Sequence, residues 1–120
     1  MGLQSYKELI VWQKSIELTI EVYRLTALYP KQELFGLVSQ SRRAIVGIPS
    51  NIAEGYSRKN RPEYSRFINI AFASAAELET QLIIAKKLKF ADLKDFEKSE
   101  ELLQEVLRML NSLENKLRSQ

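Results

Sequence analysis

From Leu9 to Leu117 apolar side chains return every three or four residues, and this period leaves few options but packed α-helices. Along the first such stretch, about Leu9 to Tyr29, Leu9, Trp12, Ile16, Ile20 and Tyr23 form one stripe, read as the core face. A second set, Val11, Leu18, Val22, Leu25 and Tyr29, runs along its flank. One stripe suffices for a bundle core. The surplus therefore implies either a second buried face, meaning oligomerisation, or cover from a long loop or a bent neighbour. Pro30 ends the helix.

The second helix is expected from near Gln32. Val38, Ser41, Ile45, Ile48, Ile52 and Tyr56 keep one phase straight through Pro49, so a continuous helix with a proline kink is expected. Ser57 to Asn60 makes the exit. Asn60 and Glu63 have the spacing of a capping box, with Pro62 tolerated in the first turn of a third helix reaching about Leu88. Phe67, Ile70, Ala71, Ser74, Ala75, Leu78, Leu82 and Ala85 are its expected inner face. After an Asp92 cap, Phe96, Leu103, Leu110 and Leu117 fall seven apart, with Val106 and Leu113 between them. The connections are short, so the expectation is an all-α, up-down antiparallel four-helix bundle forming one domain over residues 1–120. Only four Gly and three Pro are present, too few for the many turns of an all-β fold.

The chain contains neither His nor Cys. That removes the commonest general base and the commonest zinc ligands. Glu77 and Glu79 hint at a carboxylate di-metal bundle, but such sites need Glu-x-x-His elements. Ser50, Ser57 and Ser74 have no His to activate them, and no phosphate-binding glycine loop occurs. The expectation is a protein that is not an enzyme, with no cofactor and no metal. No apolar run approaches the roughly 20 residues that span a bilayer, and Met1 to Lys14 lacks the order of a signal peptide. A cytoplasmic protein without a membrane partner is expected.

Basic residues gather between Ser41 and Arg66. Arg58, Lys59, Arg61 and Arg66 surround the junction of the second and third helices, at one end of the bundle. Guanidinium groups bind phosphate oxygens in pairs, so this end is a candidate contact for RNA or DNA. The ordinary alternative is a solvated helix end. Arg42 and Arg43 sit mid-helix, where one must turn inward or toward a neighbour and needs a carboxylate. Glu54, Glu77 and Glu79 are the candidate partners, in the core or at a subunit interface. Tyr56 and Tyr64 bracket the basic junction; their apolar phase favours packing over base stacking.

Several strings carry a resemblance across about two thirds of the chain: Val11-Trp12-Gln13-Lys14, Tyr29-Pro30, Glu33-Leu34-Phe35-Gly36-Leu37, Arg42-Arg43-Ala44 and Ile48-Pro49-Ser50-Asn51-Ile52-Ala53-Glu54-Gly55. Arg58, Glu63, Phe67 and Glu77-Leu78-Glu79-Thr80 continue it in order. The chain resembles the 23S ribosomal RNA intervening-sequence proteins, and departs from them at Gly47, where Ser is more usual. The resemblance implies an up-down bundle assembling as a ring, typically a homopentamer, with no established enzymatic activity. The fold is also similar to the accessory variability determinant of diversity-generating retroelements, a basic ring that binds nucleic acid and a reverse transcriptase. The expected function is therefore a homo-oligomer that binds RNA or DNA through its basic end. The alternative is a structural or adaptor oligomer whose partner is another protein.

Overall fold

The computed structural model describes residues 5–119. Four α-helices dominate it: α1 (Ile10–Thr26), α2 (Ser39–Tyr56), α3 (Arg61–Lys87) and α4 (Leu93–Arg118). They lie side by side in a body 46 Å long and 23 × 22 Å across. α2 packs on α1 and α3, and α4 packs on α3 and closes back onto α1. The pairings run antiparallel. Gly47 approaches Ser74 while Gly55 approaches Phe67, and Gln104 reaches Glu79 while Asn69 reaches Glu114. This is the all-α four-helix bundle that the apolar period calls for.

The core is a column of Leu18, Val22, Ile45, Ile48, Ile52, Ile68, Leu78, Phe96, Leu103, Val106 and Leu110, each at 0–2% exposure. The phases expected for α2 and α4 both hold. On α1 the structure inverts the expectation. Val11, Leu18, Val22, Leu25 and Tyr29 are buried, whereas Ile16, Ile20 and Tyr23 are 36%, 55% and 41% exposed. On α3 Ile70 likewise faces out, and Ile68 takes the buried position.

α2 runs unbroken across Pro49, which is buried. A separate irregularity lies ahead of it. Lys31–Glu33 forms a 3₁₀ turn and Leu34–Val38 a π-helical turn, within which Gly36 leaves helical geometry (φ −110°, ψ −114°). The regular helix therefore begins at Ser39 and not near Gln32. Asn60 caps α3 by accepting the Glu63 N–H at 2.9 Å, but the Glu63 carboxylate turns to Arg66, so the expected box is half made. At α4 the reciprocal arm forms, with the Asp92 N–H donating to Asp95 Oδ2 at 3.2 Å. α3 ends on Lys89 in the left-handed region (φ 60°), and the Phe90 N–H reaches back to the Ala85 carbonyl. By length and composition α3 is apolar enough to cross a membrane, but here Ala71, Ala75, Leu78 and Leu82 are packed inside the bundle.

Candidate nucleic-acid interface

The antiparallel order gathers three chain segments at one end: the start of α1, the junction of α2 with α3, and the last turns of α4. The junction is tight because Gly55 lets the two helices touch. A Cβ there would lie 2.8 Å from the Phe67 Cβ. Phe67, held by this approach, becomes a platform. The Arg58 guanidinium stands 4.7 Å from its ring centroid and that of Arg66 4.5 Å.

Each of these arginines also pairs along its own helix. Arg58 donates to Glu54 at 2.8 Å and Arg66 to Glu63 at 3.3 Å. Both remain substantially exposed, with side chains at 41% and 56%. Exposed helical pairs of this kind contribute little to stability, about 0.3–0.5 kcal/mol each, and are readily exchanged for a phosphate. Arg61 reaches across to α4, its Nη1 3.5 Å from the Lys116 carbonyl. Lys59 is exposed on the connecting turn. All four residues expected at this end are thus brought together on it.

Two basic residues escaped the sequence reading. Lys116 and Arg118 arrive from the end of α4 and join the same surface. Counting helix directions in an up-down bundle would have found them, since the fourth helix must end where the second does. With them the end carries Arg58, Lys59, Arg61, Arg66, Lys116 and Arg118 against Glu54, Glu63 and Glu114. Glu114 is 7% exposed and turned inward. It accepts from Ser65 Oγ, from Asn69 Nδ2 at 3.2 Å and from Arg118 Nε at 3.1 Å. The outward field of this end is positive.

Tyr56 and Tyr64 meet edge to face at 6.0 Å. Burial, with a smaller contribution from Tyr56, pushes the Tyr64 hydroxyl up to about 12. These rings pack against each other and the bundle, so the aromatic platform at this end is Phe67.

The mid-helix arginines need a correction. Arg42 does turn toward a neighbour, but what it finds there is neutral. Its Nε donates to Thr26 Oγ1 at 2.9 Å, its Nη2 to the Tyr23 carbonyl at 3.2 Å, and its guanidinium lies 4.6 Å from the Tyr23 ring centroid. Arg43 is exposed, with no ion pair among the described residues. The carboxylates proposed for the pair are engaged elsewhere in the chain: Glu54 by Arg58, Glu77 by Gln81 and Glu79 by Gln104. Among the described residues no cluster of three Asp or Glu side chains could hold a metal ion.

Away from the basic end the surface is unusually apolar. Ile16, Ile20 and Tyr23 of α1 stand beside Val46 of α2, and Phe35 on the π turn is 92% exposed. On α3, Ile70 and Ile84 on one side of the buried stripe and Phe72 and Ile83 on the other are also exposed.

A family model described as 23S rRNA-intervening sequence protein matches residues 7–112. The fold is similar to the crystal structure of a protein of unknown function from the S23 ribosomal protein family of Bacteroides thetaiotaomicron. The two share 24% identity over 87% of this chain and 97% of that one, with a TM-score of 0.80. No curated protein matches the chain.

Proposed function

The chain belongs to the 23S rRNA-intervening sequence protein family, and from that footing we propose that it is a non-enzymatic homo-oligomer that binds RNA or DNA through its basic end. The observation that carries this reading is the convergence of Arg58, Lys59, Arg61 and Arg66 with Lys116 and Arg118 from a distant part of the chain. Two of these guanidiniums are already laid on the Phe67 ring. Pre-stacked arginines lose less freedom on binding a phosphate than mobile lysines do.

Self-association is supported by the exposed apolar residues. They lie on different helices, α1 with α2 in one case and α3 in the other. Contacts between unlike surfaces run head to tail and close into rings when the rotation allows. The fivefold number rests on the resemblance. A ring repeats the basic end around one rim, raising avidity without strengthening any single contact.

A salt-titrated gel shift with structured RNA, single-stranded DNA and duplex DNA tests the proposal. Binding should fall with a slope of about −0.7 to −0.9 per phosphate engaged in a plot of log affinity against log salt. It should vanish in the triple variant R58E/K59E/R61E. Undiminished affinity in that variant ends the proposal.

One observation favours a second reading, an adaptor for another protein. Phe35, with Leu34, Tyr23, Val38 and Val46, walls a 540 Å³ groove that also carries Arg42 and Arg43 and, among the described residues, no carboxylate. Under this reading a defined protein copurifies, and no RNA or DNA is retained at moderate salt.

A further inference from the structure

We propose that the groove between the first turn of α3 and the last turn of α4 is a phosphate site, taking one phosphate group on Arg61 and Arg118. The inference rests on the basic end being the nucleic-acid contact, and it names the chemical group that the end grips. Arg61, Pro62, Ser65, Leu117 and Arg118 line this 410 Å³ groove. Arg61 belongs to α3 and Arg118 to α4, and no carboxylate lines the groove among the described residues.

The neighbouring carboxylate works for the site. Glu114 lies beneath the groove, 7% exposed, with its oxygens engaged by Ser65, Asn69 and Arg118. It therefore orients Arg118 while presenting little charge outward. Arg118 uses Nε on Glu114 and Nη2 on Asn115 Oδ1 at 2.7 Å. These bonds fix the plane of the guanidinium and leave Nη1 without a partner among the described residues. Arg61 is steered across the end of α4 by its contact with the Lys116 carbonyl.

Two guanidiniums from different helices suit a tetrahedral oxyanion, which accepts from both through different oxygens. Lys59 and Lys116 beside the groove add to the positive field. Pro62 and Leu117 supply apolar edges against which a sugar ring can rest. The phosphate can be a terminal monoester or an internal diester, and the experiment separates them.

Uniformly ¹⁵N-labelled protein is titrated with sodium phosphate at constant ionic strength, and arginine Nε–H and backbone amide shifts are followed. The expected result is a saturable response confined to Arg61, Arg118 and residues 61–65 and 116–119. R61Q and R118Q should each weaken it by about tenfold, the effect of removing one charge-assisted contact, while K31Q and K94Q, at the opposite end of the bundle, leave it unchanged. A response that does not saturate, that spreads evenly over the basic end, or that survives both R61Q and R118Q overturns the proposal.

RNA oligonucleotides with a 5′-phosphate or a 5′-hydroxyl form the second arm. Tighter binding of the phosphorylated end, abolished by R61Q, identifies a terminal phosphate. Equal binding of the two, lowered alike by R61Q and R118Q, identifies internal ones. If phosphate saturates the groove but no nucleic acid is retained in the gel shift, the functional proposal fails and the site stands. If nucleic acid binds R61Q and R118Q as tightly as the parent, the site fails alone.

Discussion

Replacing Gly55 with alanine should destabilise this bundle, although alanine is the better helix former. The new methyl would sit 2.8 Å from Phe67 Cβ, 3.1 Å from Tyr64 Cδ1 and 3.2 Å from the Tyr64 carbonyl oxygen. Carbon atoms prefer separations of about 3.5–4.0 Å, so α2 and α3 must part by several tenths of an ångström. Overpacking of this kind costs about 1–3 kcal/mol. The helix propensity gained offsets about 1 kcal/mol, for a net loss of about 0–2 kcal/mol, centred near 1. Gly47 is the internal control. There the nearest atom is the Ser74 hydroxyl at 3.2 Å, on a side chain that can rotate away. G47A should lie between neutral and about 1 kcal/mol more stable. The two variants should therefore differ by about 1.5 kcal/mol, roughly tenfold in the folding equilibrium. Urea unfolding followed by far-ultraviolet circular dichroism, at one protein concentration and with unchanged m-values, measures the difference. If G55A is as stable as G47A, the close approach at the basic junction is not what the structure depicts. The reasoning about the Phe67 platform falls with it.

Stability should also fall as pH rises from 10 to 12. Burial holds the Tyr29 hydroxyl at about 12, and burial with the nearby Tyr56 does the same for Tyr64. In that window the unfolded chain releases protons that the folded one keeps, so each pH step favours unfolding. Denaturant midpoints across the window should slope downward, and less steeply in Tyr64→Phe. R42A should cost about 1–2 kcal/mol, because the Tyr23 carbonyl and Thr26 hydroxyl lose a charged donor, whereas R43A should stay within about 0.5 kcal/mol of the parent; thermal unfolding of the pair checks both. Under the proposed self-association, Ile20→Asp, at a 55% exposed position, should leave monomers in sedimentation velocity without loss of helix, where the parent chain sediments as an oligomer. An oligomer surviving that change would move the interface off α1.

How far the sequence could be read differs from helix to helix, for physical reasons. α2 and α4 each carry one apolar stripe, so their buried faces follow from periodicity alone. α1 carries two, and periodicity cannot rank them. The buried stripe also takes in Ser15 and Thr26, both at 0–1% exposure. Their hydroxyls are satisfied within the helix, Ser15 donating to the Trp12 carbonyl and Thr26 to the Val22 carbonyl, each at 2.7 Å. A polar residue that closes its own hydrogen bond can enter a core at little cost. The partners of Arg42 were missed for a related reason: charge was matched to charge, whereas a half-buried guanidinium is equally well held by a carbonyl, a hydroxyl and a ring face. The interruption at Gly36 gave no periodic signal, because the apolar phase resumes at Val38.

The inversion on α1 changes what the resemblance motifs are for. Trp12 belongs to one of the matching strings, and Pro49, Ser50 and Ala53 to another. In the structure they meet along one outer groove with Tyr6, Ile16, Thr19 and Val46. If these strings served the core alone, Trp12 would be sealed inside with Ile48 and Ile52; instead it lines the groove. The mid-helix proline fits the same logic. In an internal stretch of helix Pro49 removes a backbone donor and brings no conformational advantage. Its ring, however, helps shape the groove wall beside Trp12. The motif therefore specifies a surface as well as a core, since Ile48, Ile52 and Gly55 of the same string are buried. The basic end obeys a different rule, being assembled by topology from segments some 50 residues apart. The recognisable strings thus reach both regions: Trp12, Pro49, Ser50 and Ala53 line the outer groove, while Gly55, Arg58 and Phe67 build the basic junction.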